Sequence, residues 1–158
     1  MEGTIVTVPQ KHFIGLSFSG TFPMLVEFMP KQWETFLQRQ EEIPHVIQPN
    51  IRYDISDENH AHRMYTEYLV VEVERFEHIP VGMVGFTVPE RTYARFTHTG
   101  TMEQVQATYQ NLFSWLSENG HQPNEQYVRM ERYDERYVPT VHAATRAENA
   151  YEIFIPLW

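Results

Sequence analysis

Two stretches of the chain carry apolar residues three and four positions apart, whereas the segments around them alternate between apolar and polar residues. The first spacing is typical of an amphipathic helix, and the second is typical of a strand with one buried face. One helix is therefore predicted from Pro23 to about Ile43, with a break at Pro30 because proline cannot donate a backbone hydrogen bond. A second helix is predicted over residues 103–119, just before a glycine that favours a helix end.

Alternating segments rich in β-branched and aromatic residues lie on both sides of each helix and predict strands. The predicted strands cover residues 3–19 (bent or divided at Pro9), 46–47, 50–55, 65–76, 83–98, 126–133 and 150–157. Residues 56–63 and 134–149 are predicted as loops, with one helical turn possible in the second. The predicted order is strand, helix, strand, strand, followed by the same order again.

The order recurs because the sequence itself is duplicated. Residues 7–21 return as residues 87–101 with threonine, valine, proline, glycine and threonine in identical places. An Arg-Tyr-Asp triplet at 52–54 likewise returns at 132–134. Internal repeats decide the fold, and two long copies are too few for a solenoid. The duplication therefore predicts two similar halves that share one core.

These halves predict an α+β fold in one domain over residues 1–158, divided at about 1–79 and 80–158 and related by a pseudo-twofold axis. Both helices are expected on one face of a single antiparallel sheet. The opposite face is expected to form the ligand groove between the halves. Because Ile51 precedes the first triplet and Glu131 the second, only the second half is expected to place a carboxylate at the centre of this groove.

Composition restricts the possible partners of the chain. Its 12 Lys and Arg against 21 Asp and Glu give a formal charge of −9, which disfavours direct binding to a nucleic-acid backbone. The chain has no cysteine, no signal-peptide pattern at its start and no apolar run of membrane-spanning length, so a soluble, cytoplasmic protein outside the membrane is expected. Aromatic residues make up 14% of the chain, and many are expected to line a pocket.

No familiar catalytic or cofactor motif is present in the sequence. The eight histidines lack the spacing of metal ligands, and the chain has neither a glycine-rich phosphate loop nor a Gly-x-Ser-x-Gly nucleophile motif. We therefore expect no metal and no cofactor, and we assign no catalytic residue from a motif.

Three segments of the second half, together with the helix between them, resemble a known family. Residues 93–100, 131–137 and 151–157 are similar to the GyrI-like small-molecule-binding domain, the effector-binding module of AraC- and MerR-class bacterial regulators. The domain also occurs alone in gyrase-inhibitor-like proteins. The resemblance covers essentially the whole chain and implies a groove lined by aromatic residues around an acidic residue, which is Glu131 here. Since no helix-turn-helix pattern accompanies it, we expect a stand-alone effector-binding protein.

Glu131 has the surroundings of a cation-binding residue. Strand alternation places it on one face with Tyr127, Arg129 and Tyr133. A buried carboxylate is costly while unpaired, and a cationic ligand would remove part of that cost. Aromatic faces would add cation–π attraction of about 0.5–2 kcal/mol for a good contact.

An alternative interpretation gives Glu131 no ligand. It could form an exposed ion pair with Arg129, Arg132 or Arg136, which would contribute only about 0–1 kcal/mol. The resemblance favours the ligand-binding interpretation. Four more residues are candidates for the groove by strand or helix pattern: Tyr65, Tyr68, Trp115 and Phe154.

Three functions follow from these observations. The first is binding of amphipathic, cationic or aromatic small molecules, with Glu131 as the anchor. The second, implied by the resemblance, is a hydrolase that opens the strained rings of cyclopropane-containing genotoxins, with Glu131 as general base and Tyr133 or Tyr65 polarising the leaving group. The third is inhibition or protection of DNA gyrase. A separate regulator is a further possible partner, and the oligomeric state stays open.

Overall fold

The computed structural model describes residues 1–59 and 61–158, which form an eight-stranded antiparallel sheet with two α-helices. The strands are β1 (Thr4–Val8), β2 (Lys11–Gly20), β3 (Arg52–Asn59), β4 (Met64–Val73), β5 (Val84–Val88), β6 (Arg91–Thr99), β7 (Arg129–Tyr133) and β8 (Ala150–Pro156). The helices are α1 (Phe22–Arg39) and α2 (Val105–Glu118), flanked by the 3-10 turns Gln40–Glu42 and Met102–Gln104.

Strand order shows how the two halves combine. The order is β1-β6-β8-β7-β3-β4-β2-β5, so the halves meet where β3 pairs with β7. Each half also lends a strand to the other, because β1 pairs with β6 and β5 pairs with β2. The predicted duplicated α+β architecture with an antiparallel sheet is confirmed.

Pairing register identifies which residues of the halves correspond. The pairings of β2, β4 and β3 match those of β6, β8 and β7 when Asp54 is aligned with Glu131, and Arg52 with Arg129. Asp54 and Glu131 are also direct partners across the β3–β7 junction. The pseudo-twofold axis therefore passes between these two carboxylates.

The repeated Arg-Tyr-Asp triplets do not occupy corresponding places. Tyr53 packs against Phe13 on one face of the sheet, with ring centroids 4.9 Å apart. Tyr133 packs against Trp33 of α1 on the other face, at 5.3 Å. The sequence expectation that only the second half supplies a central carboxylate is therefore wrong, because Asp54 is the structural counterpart of Glu131.

Both faces of the sheet are covered by apolar side chains. On the helix-bearing face, Phe36 of α1 and Leu112 of α2 are fully buried against the sheet. On the opposite face, a second cluster forms without a covering helix. Its buried members are Phe13, Tyr53, Ile55, Val70, Val88, Tyr93, Met130 and Phe154. The two clusters show that the sheet curls and packs on both sides.

Helix α1 runs through Pro30 without the predicted break. Pro30 lies on the exposed side of the helix, where water can hydrate the Val26 carbonyl that loses its helical donor. Within the described residues, neither helix has the length and apolar character needed to cross a membrane.

Strand boundaries differ most from the predictions in three places. The predicted loop 56–63 is largely strand, since β3 continues to pair with β4 as far as Asn59, and residue 60 lies outside the described residues. Residues 83–98 form two strands around a turn at Pro89, because proline cannot donate to a sheet ladder. The predicted strand at 46–47 is a single bridge between Val46 and Val73.

Candidate ligand-binding site

Three carboxyl side chains are buried together on the helix-bearing face. They are Asp54 of β3, Glu67 of β4 and Glu131 of β7, each less than a tenth exposed. Strand register brings them together, because Asp54 lies opposite Glu131 and Ser56 of β3 lies opposite Glu67. We call these three residues the acid cluster. It lies at the junction of the two halves, between α1 and α2.

Phenol groups surround Glu131. The hydroxyl of Tyr109 on α2 donates a hydrogen bond to Glu131 Oε2 at 2.8 Å, and the Tyr133 hydroxyl donates to Oε1 at 3.2 Å. Burial, followed by the negative charge of Glu131, raises the pKa of both tyrosines well above its ordinary value. The same two causes raise the pKa of Tyr151 on β8. These phenols therefore remain protonated and act as donors.

Asp54 and Glu67 form the other part of the acid cluster and hydrogen-bond to each other. The Ser56 hydroxyl also donates to Glu67 Oε2 at 2.6 Å. Burial, and next the negative charge of Glu67, raises the pKa of Asp54 well above its ordinary value. Burial also raises the pKa of Glu67. Two carboxyls can share a hydrogen bond only when one holds a proton, and these shifts place the proton on Asp54.

One cation lies beside the acid cluster. The Arg129 guanidinium forms an ion pair with Glu58 of β3 at 3.0 Å and donates to the Ser56 hydroxyl at 3.3 Å. Its central carbon lies 4.9 Å from the centre of the Tyr109 ring. Burial lowers the pKa of Arg129, but the negative charges of Glu131 and Glu58 outweigh this effect, so the pKa is raised and the side chain stays charged.

Two hollows open on the two sides of Arg129. The hollow beside α2 has a volume of about 280 Å³ and is lined by Phe113, Tyr127 and Ile155, among others. The hollow beside α1 has a volume of about 360 Å³. It is lined by Phe22, Leu25, Val26, Met29, Tyr65 and Glu67. Glu58 and Arg129 line both hollows, so their ion pair forms the partition between two largely apolar spaces.

Glu131 and Tyr133 lie together as the sequence predicted, but the interpretation of Glu131 as a member of an exposed ion pair is wrong. Glu131 is only 8% exposed and accepts its hydrogen bonds from phenols. Arg136, one of the proposed partners, instead pairs with Asp134 and Glu152. The carboxylate therefore lies in the interior and away from the arginines that follow it in the sequence.

The remaining candidate residues separate into three groups. Tyr65 lines the hollow beside α1, and Tyr127 lines the hollow beside α2. Tyr68 and Phe154 point to the opposite face of the sheet, because each is an odd number of positions from a residue on the helix-bearing face. Trp115 lies on the helix face but packs against Phe96 and His121, and lines neither hollow.

The predicted groove on the face away from the helices is therefore not where the acid cluster lies. Helix α2 covers Glu131 through Tyr109, and α1 reaches Tyr133 through Trp33. A separate hollow of about 460 Å³ on the opposite face includes Tyr68 but no acid-cluster residue. The acidic site and the helix-free face are two different surfaces.

Sequence reasoning missed two members of the acid cluster, Asp54 and Glu67, and two phenols, Tyr109 and Tyr151. Glu67 did leave a signal, since it interrupts an otherwise apolar face of β4 that includes Leu69 and Val71. Asp54 left none, because its importance depends on its pairing with Glu131 across the junction. Within the described ranges, no group of His, Cys, Asp or Glu side chains has the arrangement of a metal site.

The chain has relatives among known proteins. The chain matches the Cass2 family, the integron-associated effector binding proteins, over residues 4–157. The chain belongs to this family. It therefore carries a GyrI-like effector-binding fold, which confirms the resemblance drawn from its sequence.

This Cass2-family chain is 30% identical over 162 residues to the transcriptional regulator BrlR of Pseudomonas aeruginosa PAO1. The alignment covers all of the chain and 56% of BrlR, so the chain spans about half the length of this relative. The chain is thus related to part of a bacterial transcriptional regulator.

Two solved structures share its fold. SAV2435, solved bound to tetraphenylphosphonium, superposes with a TM-score of 0.76 at 12% identity, covering 100% of this chain and 94% of the other. The EcmrR C-terminal domain gives a TM-score of 0.71 at 16% identity, covering 99% and 97%. At these identities the likeness shows a common fold.

Proposed function

We propose that this chain binds amphipathic aromatic cations at the acid cluster and thereby acts as an effector-binding protein. The observation that carries the proposal is the excess of buried acid, since among the described residues the three carboxyls of the acid cluster lie beside one cation, Arg129. Buried carboxylates are costly without partners, and a desolvated cation beside them offsets that cost. The rings of Tyr109, Tyr133 and Trp33 would add cation–π attraction.

The shape of the site supports the aromatic part of this proposal. Apolar side chains from both helices and from β8 line the two hollows, including Leu25, Met29, Phe113 and Ile155. Such walls suit the rings of an amphipathic ligand, while the carboxylates take its charge. The relative SAV2435 holds a ligand of this chemistry, tetraphenylphosphonium. Similarity to BrlR supports a role for binding in transcriptional control, in which this chain would sense the ligand.

A pair of ions with the same shape tests the proposal. Tetraphenylphosphonium and tetraphenylborate carry the same four phenyl groups but opposite charges. Isothermal titration calorimetry should show saturable binding of the phosphonium and none of the borate, because only the cation is complementary to the acid cluster. Equal binding of both ions would contradict the proposal.

The hydrolase and gyrase hypotheses stay predictions from resemblance. Recovery of a cyclopropane-containing ligand with unchanged mass after incubation with the protein would contradict the hydrolase hypothesis.

Affinity for the cation should rise with pH. Asp54 has a raised pKa, and a bound cation favours its charged form, so binding should release protons and strengthen as pH rises toward that pKa. Among the described residues, the charged and titratable groups facing Asp54 are Glu67, Tyr109, Arg129, Glu131, Tyr133 and Tyr151. Calorimetry in buffers with different ionisation enthalpies measures the proton release directly.

The control for this prediction is Asp54→Asn, which removes the titrating carboxyl. Its affinity for tetraphenylphosphonium should depend less on pH than that of the wild type. An affinity that falls with rising pH, or a wild-type slope in Asp54→Asn, would contradict the assignment of the proton to Asp54.

A further inference from the structure

We propose that Arg129 is a built-in competitor that a cationic ligand must displace from the acid cluster. The inference rests on the proposed function and adds a specificity-determining residue to it. In this view, Arg129 neutralises the carboxyls only until a ligand cation takes its place. The side chain would set the minimum charge and aromatic area that a ligand needs in order to bind.

The contacts of Arg129 are those that an aromatic cation would make. Its guanidinium is held by a carboxylate on Glu58, a hydroxyl on Ser56 and the face of the Tyr109 ring. It lies on β7 two positions before Glu131, and the two side chains share the helix-bearing face. Arg129 and a ligand cation would thus compete for the same field of negative charge.

Arg129 also determines the size of the available space. With Glu58 it lines both hollows, whose volumes of about 280 and 360 Å³ lie at or near the lower limit of small-molecule sites. The guanidinium is carried on a flexible stem, so it can rotate out without a change in the strand. Its departure would join the two hollows next to the acid cluster.

Arg129 carries one buried donor without a partner in the described part of the chain, whereas the same nitrogen of its counterpart in the first half is hydrogen-bonded. Its Nε is buried and has no hydrogen-bond partner among the described residues. Arg52 occupies the corresponding place and donates its Nε to Gln40 Oε1 at 2.6 Å. A buried donor without a partner costs free energy, and this cost is relieved when Arg129 leaves the acid cluster and its Nε is hydrated.

The variant Arg129→Met tests the competition. Methionine keeps a long unbranched stem but removes the charge. Tetraphenylphosphonium should therefore bind about tenfold more tightly by calorimetry, because the ligand no longer has to displace an arginine from the acid cluster. The matched control is Arg52→Met, which should leave the affinity unchanged. Arg129→Lys keeps the charge and should bind no more tightly than the wild type. Near-ultraviolet circular dichroism reports whether each variant retains its packing.

The outcomes separate this inference from the proposed function. If the wild type binds tetraphenylphosphonium and a folded Arg129→Met binds it equally or more weakly, Arg129 is no competitor and the proposed function stands. If only Arg129→Met binds, the competition is supported and the function of the wild type is not. If neither binds, both proposals fail.

A measurement on the wild type covers the case in which Arg129→Met does not fold. The Nε–H signal of Arg129 in NMR spectra should exchange faster with water after tetraphenylphosphonium is added, because the displaced side chain becomes hydrated. An unchanged exchange rate at saturation would overturn the inference.

Discussion

Glu131→Gln should weaken tetraphenylphosphonium binding by roughly a hundredfold, because breaking a buried charge pair costs about 2–5 kcal/mol and each tenfold loss of affinity corresponds to about 1.4 kcal/mol. Glutamine has nearly the same shape; its carbonyl oxygen can accept from one of the phenols of Tyr109 and Tyr133, and its amide group can donate to the oxygen of the other. The substitution therefore removes charge while preserving the packing. Calorimetry of the wild type and the variant under one set of conditions measures the change.

A matched variant distinguishes the local carboxylate from the overall charge. Glu118→Gln removes the same unit of charge at the exposed end of α2. Its affinity should stay close to that of the wild type, since exposed charges at this distance are screened by salt. Equal losses in both variants would show that the net charge of −9 attracts the cation and that Glu131 is not the anchor.

Glu131 is less isolated than the sequence suggested, because Asp54 and Glu67 are buried beside it. In Glu131→Gln these two carboxyls remain beside the ligand and keep part of the attraction. We therefore expect a large loss of affinity but a measurable residual. A double variant that also replaces Glu67 should lose more than the single variant, and the two effects should not be additive, because the residues interact.

Periodicity was sufficient to predict the elements of the fold. Helix α2 follows an apolar spacing that includes Leu112 and Leu116, both of which are fully buried. Repetition of residues 7–21 at 87–101 also corresponds to real symmetry, since β1 pairs with β6 in the same register as β5 with β2. These predictions succeed because they depend on local patterns, which the chain carries within single segments.

The acid cluster could be predicted only in part, because it depends on register between distant segments. Alternation placed Glu131 with Tyr133 on one face, but could not say which face the helices cover. The triplets at 52–54 and 132–134 suggested an alignment that the strand pairing does not follow. The alignment of the triplets differs from the strand pairing by an odd number of positions, and such a shift moves a side chain to the other face of the sheet. The triplet match therefore did not indicate that Asp54 lies beside Glu131.

Asp54→Asn should make the protein more stable at neutral and basic pH, because it removes a buried carboxyl that the unfolded chain ionises more readily than the folded protein does. The pKa of Asp54 is raised in the folded state, first by burial and next by the negative charge of Glu67. The folded protein therefore binds more protons than the unfolded chain between the two pKa values. Its stability falls as pH rises through that window.

The sign of this effect can be measured by urea unfolding at two pH values. Below the unfolded pKa of about 4, Asp54 is protonated in both states and the variant should gain little. At about pH 8 the unfolded carboxyl is fully charged, and the stabilising effect of Asp54→Asn should be largest. Asp57→Asn, on the exposed side of the same strand, is the control and should show no such gain.

Stabilisation by Asp54→Asn would connect the fold to the proposed function. Natural proteins retain buried charges that reduce stability where a ligand later pairs with them. The variant should therefore be more stable without a ligand. It should gain less stability from tetraphenylphosphonium than the wild type, because the ligand stabilises only the folded state and the variant has one carboxyl fewer to bind it. A variant that is less stable at both pH values would show instead that Asp54 holds the β3–β7 junction together.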